Sequence, residues 1–178
     1  MSSATSRSSH VVLIGMMGVG KSTVGRRVAK QLDRPFFDSD DEVVARTGRA
    51  VTEIFSTDGE PAFREIEAAV MAELLSSPTA SVIAAAGGSV LDPTTRTRLR
   101  DSGTVIWMRA PVDVLVGRTS RGTHRPALAN DPRATLTQME ADREALYSEV
   151  ADAVVDCTAP IATVVASIIA VVEKVGAP

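Results

Sequence analysis

The sequence predicts an α/β fold: a parallel sheet with helices on both faces. Short apolar runs alternate with longer amphipathic segments along the chain, the pattern of repeated strand–crossover–strand units. Two of those runs, residues 11–14 and 81–85, are nearly continuous in apolar side chains, as strands buried on both faces are. Of the 178 residues 44% are hydrophobic but only 3% aromatic, so the interior must be built from Ala, Val, Leu and Ile.

The length suits one domain with a real core, predicted over residues 10–178 after a Ser-rich, disordered tail at 1–9. A net charge of −3 supplies no broad positive field for a nucleic acid, which leaves a small ligand as the expected partner. Cys157 has no second cysteine to pair with and no metal-like spacing around it. It reads as a small hydrophobe at a strand end, suited to a reducing cytoplasm. The apolar residues after the tail run straight into a glycine-rich loop, unlike a cleaved signal sequence. Residues 161–172 contain Thr163 and Ser167 and fall short of the roughly 20 apolar residues a bilayer needs. A cytoplasmic monomer, with no membrane contact, is the expectation.

In chain order, the strand at 11–14 is followed by a helix at 22–32, with Val24, Val28 and Leu32 at four-residue spacing and Arg26, Arg27 and Lys30 outward. Asp33-Arg34-Pro35 breaks it. A short strand at 36–38 runs into the acidic cluster Asp38-Ser39-Asp40-Asp41-Glu42. That cluster fits a ligand site at a strand's carboxyl end, and equally an N-cap with acids in the first helical turn. Short helices are predicted at 41–46, closed by Thr47-Gly48, and at 52–55. A longer one at 61–75 is apolar at Phe63, Ile66, Val70 and Leu74 and charged at Arg64, Glu65 and Glu67. After the central strand at 81–85 come a helix at 93–100, a strand at 104–108 and a helix at 111–118 with Pro111 in its first turn. Residues 120–130, holding Arg121, His124 and Arg125, have no periodicity and read as a mobile lid, whose full extent is about 118–130. Asp131-Pro132 caps a helix to 150, the last strand is 153–156, and a helix at 161–174, apolar nearly all round, is expected to be well buried.

The chemistry is most explicit after the first strand. Gly15-Met16-Met17-Gly18-Val19-Gly20-Lys21-Ser22 fits G-x-x-x-x-G-K-[ST], a phosphate-binding loop in its required strand-before, helix-after setting. Its glycines allow a tight turn that aims backbone N–H groups at phosphate oxygens. Lys21 supplies a mobile positive charge for the β- and γ-phosphates, and Ser22 can ligate Mg²⁺. The following helix adds its positive dipole end. A nucleoside triphosphate is the implied ligand. The strand at 82–85 ends without an Asp that could support the metal, which makes Asp38, directly or through water, the candidate beside Ser22.

Six features in order resemble shikimate kinase: the loop 15–22; the pair Asp38 and Asp40; the string Asp58-Gly59-Glu60-x-x-Phe63-Arg64-x-x-Glu67; Gly87-Gly88 after the third strand; Arg125-Pro126 in the lid; and Arg143 ahead of Leu146-Tyr147. The resemblance spans about residues 11–156. It implies a three-layer α/β/α P-loop kinase with a five-stranded parallel sheet and a mobile lid, phosphorylating the 3-hydroxyl of shikimate with ATP and Mg²⁺ in aromatic amino acid biosynthesis. By the same correspondence Arg64 and Arg143 take the substrate carboxylate, a task suited to bidentate guanidinium. Asp40 orients the attacking hydroxyl and accepts its proton, while Gly87 and Gly88 bring backbone close to the ring. Gly18, Val19, Gly20, Lys21, Ser22 and Thr23 hold the phosphates, Arg118 lies along the nucleotide, and Arg125 closes over the transferring group. Lys21, Asp40 and Arg125 form the implied catalytic set.

In isolation Arg64 and Arg143 would read as solvated helix arginines; the ordered string reverses that. Two other functions share part of this pattern. A gluconate-type kinase would share the loop and lid but lack the Asp58–Glu67 string, and a non-catalytic binding domain would be expected to lose Lys21, Asp40 or Arg125. The chain departs from the family pattern at Ala86: where three consecutive glycines usually stand it has Ala86-Gly87-Gly88. A methyl there costs about 1–2 kcal/mol if the backbone is left-handed and nothing if it is not. The segment Thr158-Ala159-Pro160 carries no Arg for the adenine, and Arg121 and His124 receive no role.

Overall fold

In the computed structural model the described residues are 10–120, 128 and 130–176. The predicted tail and most of the predicted lid, Arg121, His124 and Arg125 among them, lie outside these. Five strands, β1 (His10–Ile14), β2 (Phe36–Asp38), β3 (Val82–Ala84), β4 (Gly103–Arg109) and β5 (Ala153–Asp156), form one sheet in the order β2-β3-β1-β4-β5. Every pairing is parallel, with Leu13 opposite Ala84 on one side and Ile106 on the other. Eight helices connect and flank the strands among the described residues: α1 (Lys21–Leu32), α2 (Ser39–Thr47), α3 (Val51–Thr57), α4 (Gly59–Ser76), α5 (Pro93–Ser102), α6 (Val112–Thr119), α7 (Pro132–Val150) and α8 (Ile161–Gly176). The predicted elements are all present, within a few residues of their expected bounds. A 3-10 turn at Ser89–Leu91 was not foreseen.

The order of the sheet creates the site. The connection leaving β1 crosses toward β2, while the one leaving β3 crosses the opposite way toward β4. Right-handed crossovers then place their helices on opposite faces, and a crevice opens beyond the carboxyl ends of β1 and β3. α1 and α8 pack together on one face; α5 and α7 pack together on the other, joined by α4. The central strands are buried along almost their whole length, and Val11, Val12, Leu13, Ile83, Val105 and Ile106 have no exposed surface. A separate cluster of Val43, Ile54, Phe63 and Val70 joins α2, α3 and α4. At the amino end of β1, His10 is buried, its Nδ1 2.8 Å from Ser81 Oγ and its Nε2 3.0 Å from the Ser77 carbonyl; burial lowers its pKa.

Two expectations are corrected. α8 is buried only along Val164, Val165 and Ile168, whereas Ala162, Ala166 and Ala170 face solvent and Ile161 is 39% exposed. Its alanines made the sequence look apolar all round, but an outer-layer helix needs only one apolar stripe, and exposed alanine costs little. Glu67, counted with the charged residues of α4, is 3% exposed and turns inward among Phe63, Val70 and Met71.

Candidate active site

The nucleotide side is built from backbone. Where β1 ends, Gly15 has φ 137° and lies so close to the Met108 carbonyl of β4 that a Cβ would collide with it. Only glycine fits. Gly20, at φ 103°, occupies the N-cap of α1 with no side-chain cap. The positive dipole end of that helix is therefore directed to the loop, and Gly20 supplies no side-chain cap of its own. Lys21 folds back along the loop, its Nζ donating to the carbonyls of Gly15 (2.7 Å) and Met16 (3.1 Å). Arg118 of α6 donates to the Val19 carbonyl (3.3 Å) and to the Cys157 carbonyl (2.7 Å), so it bridges the loop to the end of β5. The structure thus gathers Gly18, Val19, Gly20, Lys21, Ser22, Thr23 and Arg118 at one mouth of the crevice. Cys157 is buried at the strand end, as expected, and burial pushes its thiol up to about 11.

Asp38 links the two halves. It caps α2 by accepting from the Asp40 amide (3.1 Å) with one oxygen, and takes the Ser22 hydroxyl at 2.5 Å with the other. The cap reading of the acidic cluster thus holds at Asp38, which at the same time reaches Ser22 at the start of α1. Ser22 and Asp38 offer hard oxygen donors side by side. Among the described residues no cluster of three or more His, Cys, Asp or Glu could hold a metal. A cation here would draw its remaining ligands from phosphate and water, which suits Mg²⁺.

Asp40 lies in the first turn of α2, reached by solvent but ringed by protein. Burial and the neighbouring Asp38 carboxylate push its pKa up to about 6, with Lys21 pulling down and Glu67 pushing up. The same carboxyl thus feels both the phosphate loop and the far wall.

That far wall holds the arginines. Arg64 Nη1 donates to Glu67 Oε2 at 2.8 Å, and its Nε and Nη2 donate to Glu60 Oε1 at 3.2 and 3.0 Å. Its guanidinium carbon lies 5.3 Å from the Phe63 ring centre and 6.0 Å from that of Phe55. Burial opposes the charge on Arg64, but Glu67 and Glu60 outweigh it and its pKa is raised. Burial raises the pKa of Glu67 against the pull of Arg64 and Arg143. Arg143 is only 8% exposed on α7, far from a solvated helix arginine. Two guanidiniums flank the buried Glu67, and the second partner of Arg64, Glu60, is exposed and displaceable, so an incoming anion has donors to take.

Gly88 lies under Arg64, where a Cβ would collide with the guanidinium, and a Cβ on Gly87 would stand 3.5 Å from Arg143 Nη1. Ala86 has no positive φ: Asp33 is the only non-glycine residue among those described that does. The methyl is therefore free of strain, and the Ala86 amide donates to Ser39 Oγ at 2.8 Å. A cavity of ≈ 510 Å³ shares Arg64, Glu67 and Gly88 with this wall and continues to Asp92 and Thr95. Sequence reasoning missed Glu67, Ser39 and Tyr147 as site-forming residues. Glu67 left a signal, the i,i+3 spacing from Arg64; Ser39 left none.

A profile of the family described as shikimate kinase matches residues 17–173. The chain belongs to the shikimate kinase family. It is 47% identical over 161 residues to the shikimate kinase of Bordetella pertussis, covering 89% of this chain and 76% of that one. The Francisella tularensis subsp. novicida shikimate kinase is 42% identical over 151 residues, covering 84% and 86%. Among solved structures, shikimate kinase from Acinetobacter baumannii in complex with shikimate aligns at a TM-score of 0.90 with 34% identity, covering 96% of each chain. A gluconokinase from Sinorhizobium meliloti aligns at 0.59 with 21% identity, covering 94% of this chain and 93% of that one, a likeness of fold alone. The five-stranded α/β architecture and the kinase class expected of the family are those found here.

Proposed function

We propose that this cleft transfers the γ-phosphoryl group of ATP to the 3-hydroxyl of shikimate, giving shikimate 3-phosphate and ADP. The observation that carries this reading is the place of Asp40, which feels Lys21 on the nucleotide side and Glu67, the partner of Arg64, on the acid side. A carboxylate titrating near 6 is ionised at neutral pH yet basic enough to take a hydroxyl proton. As the hydroxyl oxygen bonds to the γ-phosphorus and the bond to the β,γ-bridging oxygen breaks, Asp40 receives the proton and ADP departs with the electron pair. Arg64 and Arg143 hold the substrate carboxylate. The exposed Glu60 occupies donors of Arg64 that the substrate would use, and a surface pair of that kind yields at little cost.

Gly18 to Thr23 cradle the phosphates, Lys21 follows the γ-phosphate, and Arg118 borders the nucleotide. Ser22 and Asp38 are the residues that would hold Mg²⁺, which when bound neutralises phosphate charge. Arg125, by the family correspondence, closes over the transferring group. No helix among the described residues is long and apolar enough to cross a membrane, and we place the enzyme in the cytoplasm as a monomer. The test is phosphorus–proton correlation NMR of the product formed from shikimate, ATP and Mg²⁺. A phosphate coupled to the proton on carbon 3 is expected; coupling to another carbon, or no phosphorylated product, overturns the reading.

A further inference from the structure

Tyr147 is the only tyrosine of the chain and Trp107 the only tryptophan. Tyr147 lies one turn beyond Arg143 on α7, 1% exposed, its ring stacked on Trp107 of β4 at 5.7 Å between centres. Its hydroxyl donates to the Gly87 carbonyl at 2.6 Å, accepts from the Arg143 side chain and lies 3.9 Å from Met16 Sδ in the phosphate loop. Burial pushes its pKa up to about 12, so it remains a donor throughout the neutral range.

The Gly87 carbonyl and the Gly88 N–H belong to one rigid trans peptide and point in opposite directions. Fixing the first therefore fixes the second. No hydrogen bond among the described residues uses the Gly88 N–H. The same peptide lies under the Arg64 guanidinium, and a Cβ on Gly87 would stand 3.2 Å from the Gly15 carbonyl and 3.5 Å from Arg143 Nη1. One peptide unit thus lies beside the phosphate loop and both arginines, and glycine on both sides gives it no side chain of its own to set its orientation. The Ser89 N–H closes a turn on the Ala86 carbonyl at 3.0 Å around this peptide; with glycine at both central positions such a turn admits either face of the peptide, and the Tyr147 hydroxyl selects one.

We propose that Tyr147 is a positioning residue for acid recognition: its hydroxyl sets the Gly87–Gly88 peptide against Arg64 and Arg143, so that the pocket is formed before substrate arrives. The inference rests on the reading of those four residues as the acid site. Preorganisation of this kind acts on the affinity for the acid, not on the phosphoryl-transfer step.

The test is Tyr147→Phe, which keeps the ring on Trp107 and removes only the hydroxyl. Steady-state constants for shikimate and ATP are measured beside the emission of Trp107. The expected result is a KM for shikimate raised roughly two- to hundredfold, the range from one neutral hydrogen bond to one shared with a charged group, with kcat and the KM for ATP within about twofold and Trp107 emission unchanged. An unchanged KM for shikimate overturns the proposal. So do an unfolded variant, or a shift of emission, kcat and both KM values together, since each assigns the hydroxyl to general packing. If the unaltered enzyme does not turn over shikimate, the reading of the acid site fails first and the proposal with it.

Discussion

The two walls of the cleft that we propose to bind anions are built by different means. The phosphate wall is backbone: one contiguous loop, glycines where a Cβ would collide, and a helix end left uncapped by side chains. The acid wall is mainly side chains, drawn from α2, α4 and α7 around the Gly87–Gly88 backbone, with a buried carboxylate bonded to Arg64 and attracted by Arg143. A backbone site tolerates change at its variable positions, and Met16 and Met17 stand in the loop without disturbing it. A side-chain site depends on each partner, because a buried charge whose partner is removed costs more than the pair ever contributed. Substitutions on the acid wall should therefore be selective for the acid, while those at the seam between walls should strike turnover.

The largest effect is expected at the transferring group. Arg125→Ala should cut kcat by about 10³–10⁵ while the dissociation constant for shikimate, read by Trp107 fluorescence, stays within a few-fold; an unchanged kcat removes Arg125 from the catalytic set. Asp40→Asn follows, with a loss of about 10²–10⁴ in kcat. The pH–rate profile sharpens this. Asp40 acts ionised, so kcat/KM in the unaltered enzyme should fall as pH drops through about 6, and a profile flat across that range would contradict the assignment. Because the folded pKa of Asp40 lies above its ordinary value, its protonated form favours folding, and that stabilisation is lost as pH rises through about 6. At pH 7.5 Asp40→Asn should accordingly raise Tm even as it abolishes activity, the trade expected of a strained catalytic charge.

Arg64→Ala should raise the KM for shikimate by about 10- to 100-fold, the range for hydrogen bonds to a charged group. It leaves Glu67 buried without its guanidinium partner, so Tm should fall too. Equal effects on the KM for ATP would erase the distinction between the walls. The smallest effect belongs to Ala86→Gly. Since Ala86 has no left-handed backbone to relieve, the change should leave kcat/KM unaltered and lower stability by about 0.4–1 kcal/mol through the freer unfolded chain.

The same contrast explains what the sequence could reveal. The phosphate wall was legible because its residues are adjacent and its chemistry lies in their spacing. Asp40, Arg64 and Arg143 were legible only as members of an ordered set, since each alone looks like an ordinary helix residue. Glu67 and Tyr147 were present in that set, but their roles depend on contacts across elements: Glu67 meets Arg143 of α7, and Tyr147 meets Gly87 some 60 positions away. Ser39, which accepts from the Ala86 amide, is separated from it by 47 positions and looks in sequence like one more cap residue. The overestimate of burial in α8 has the same root, for hydrophobicity counts alanines without saying which way they face.

The central claim is that the acid wall selects shikimate, and the most direct measurement is coupled ADP release with ATP and Mg²⁺, run in parallel with shikimate, with gluconate and with no acceptor. The account predicts turnover with shikimate and only background in the other two. Turnover with gluconate and not with shikimate would keep the phosphate wall and contradict the acid wall, and silence with both acceptors from a folded, ATP-binding protein would contradict the assignment of the cleft as a kinase site.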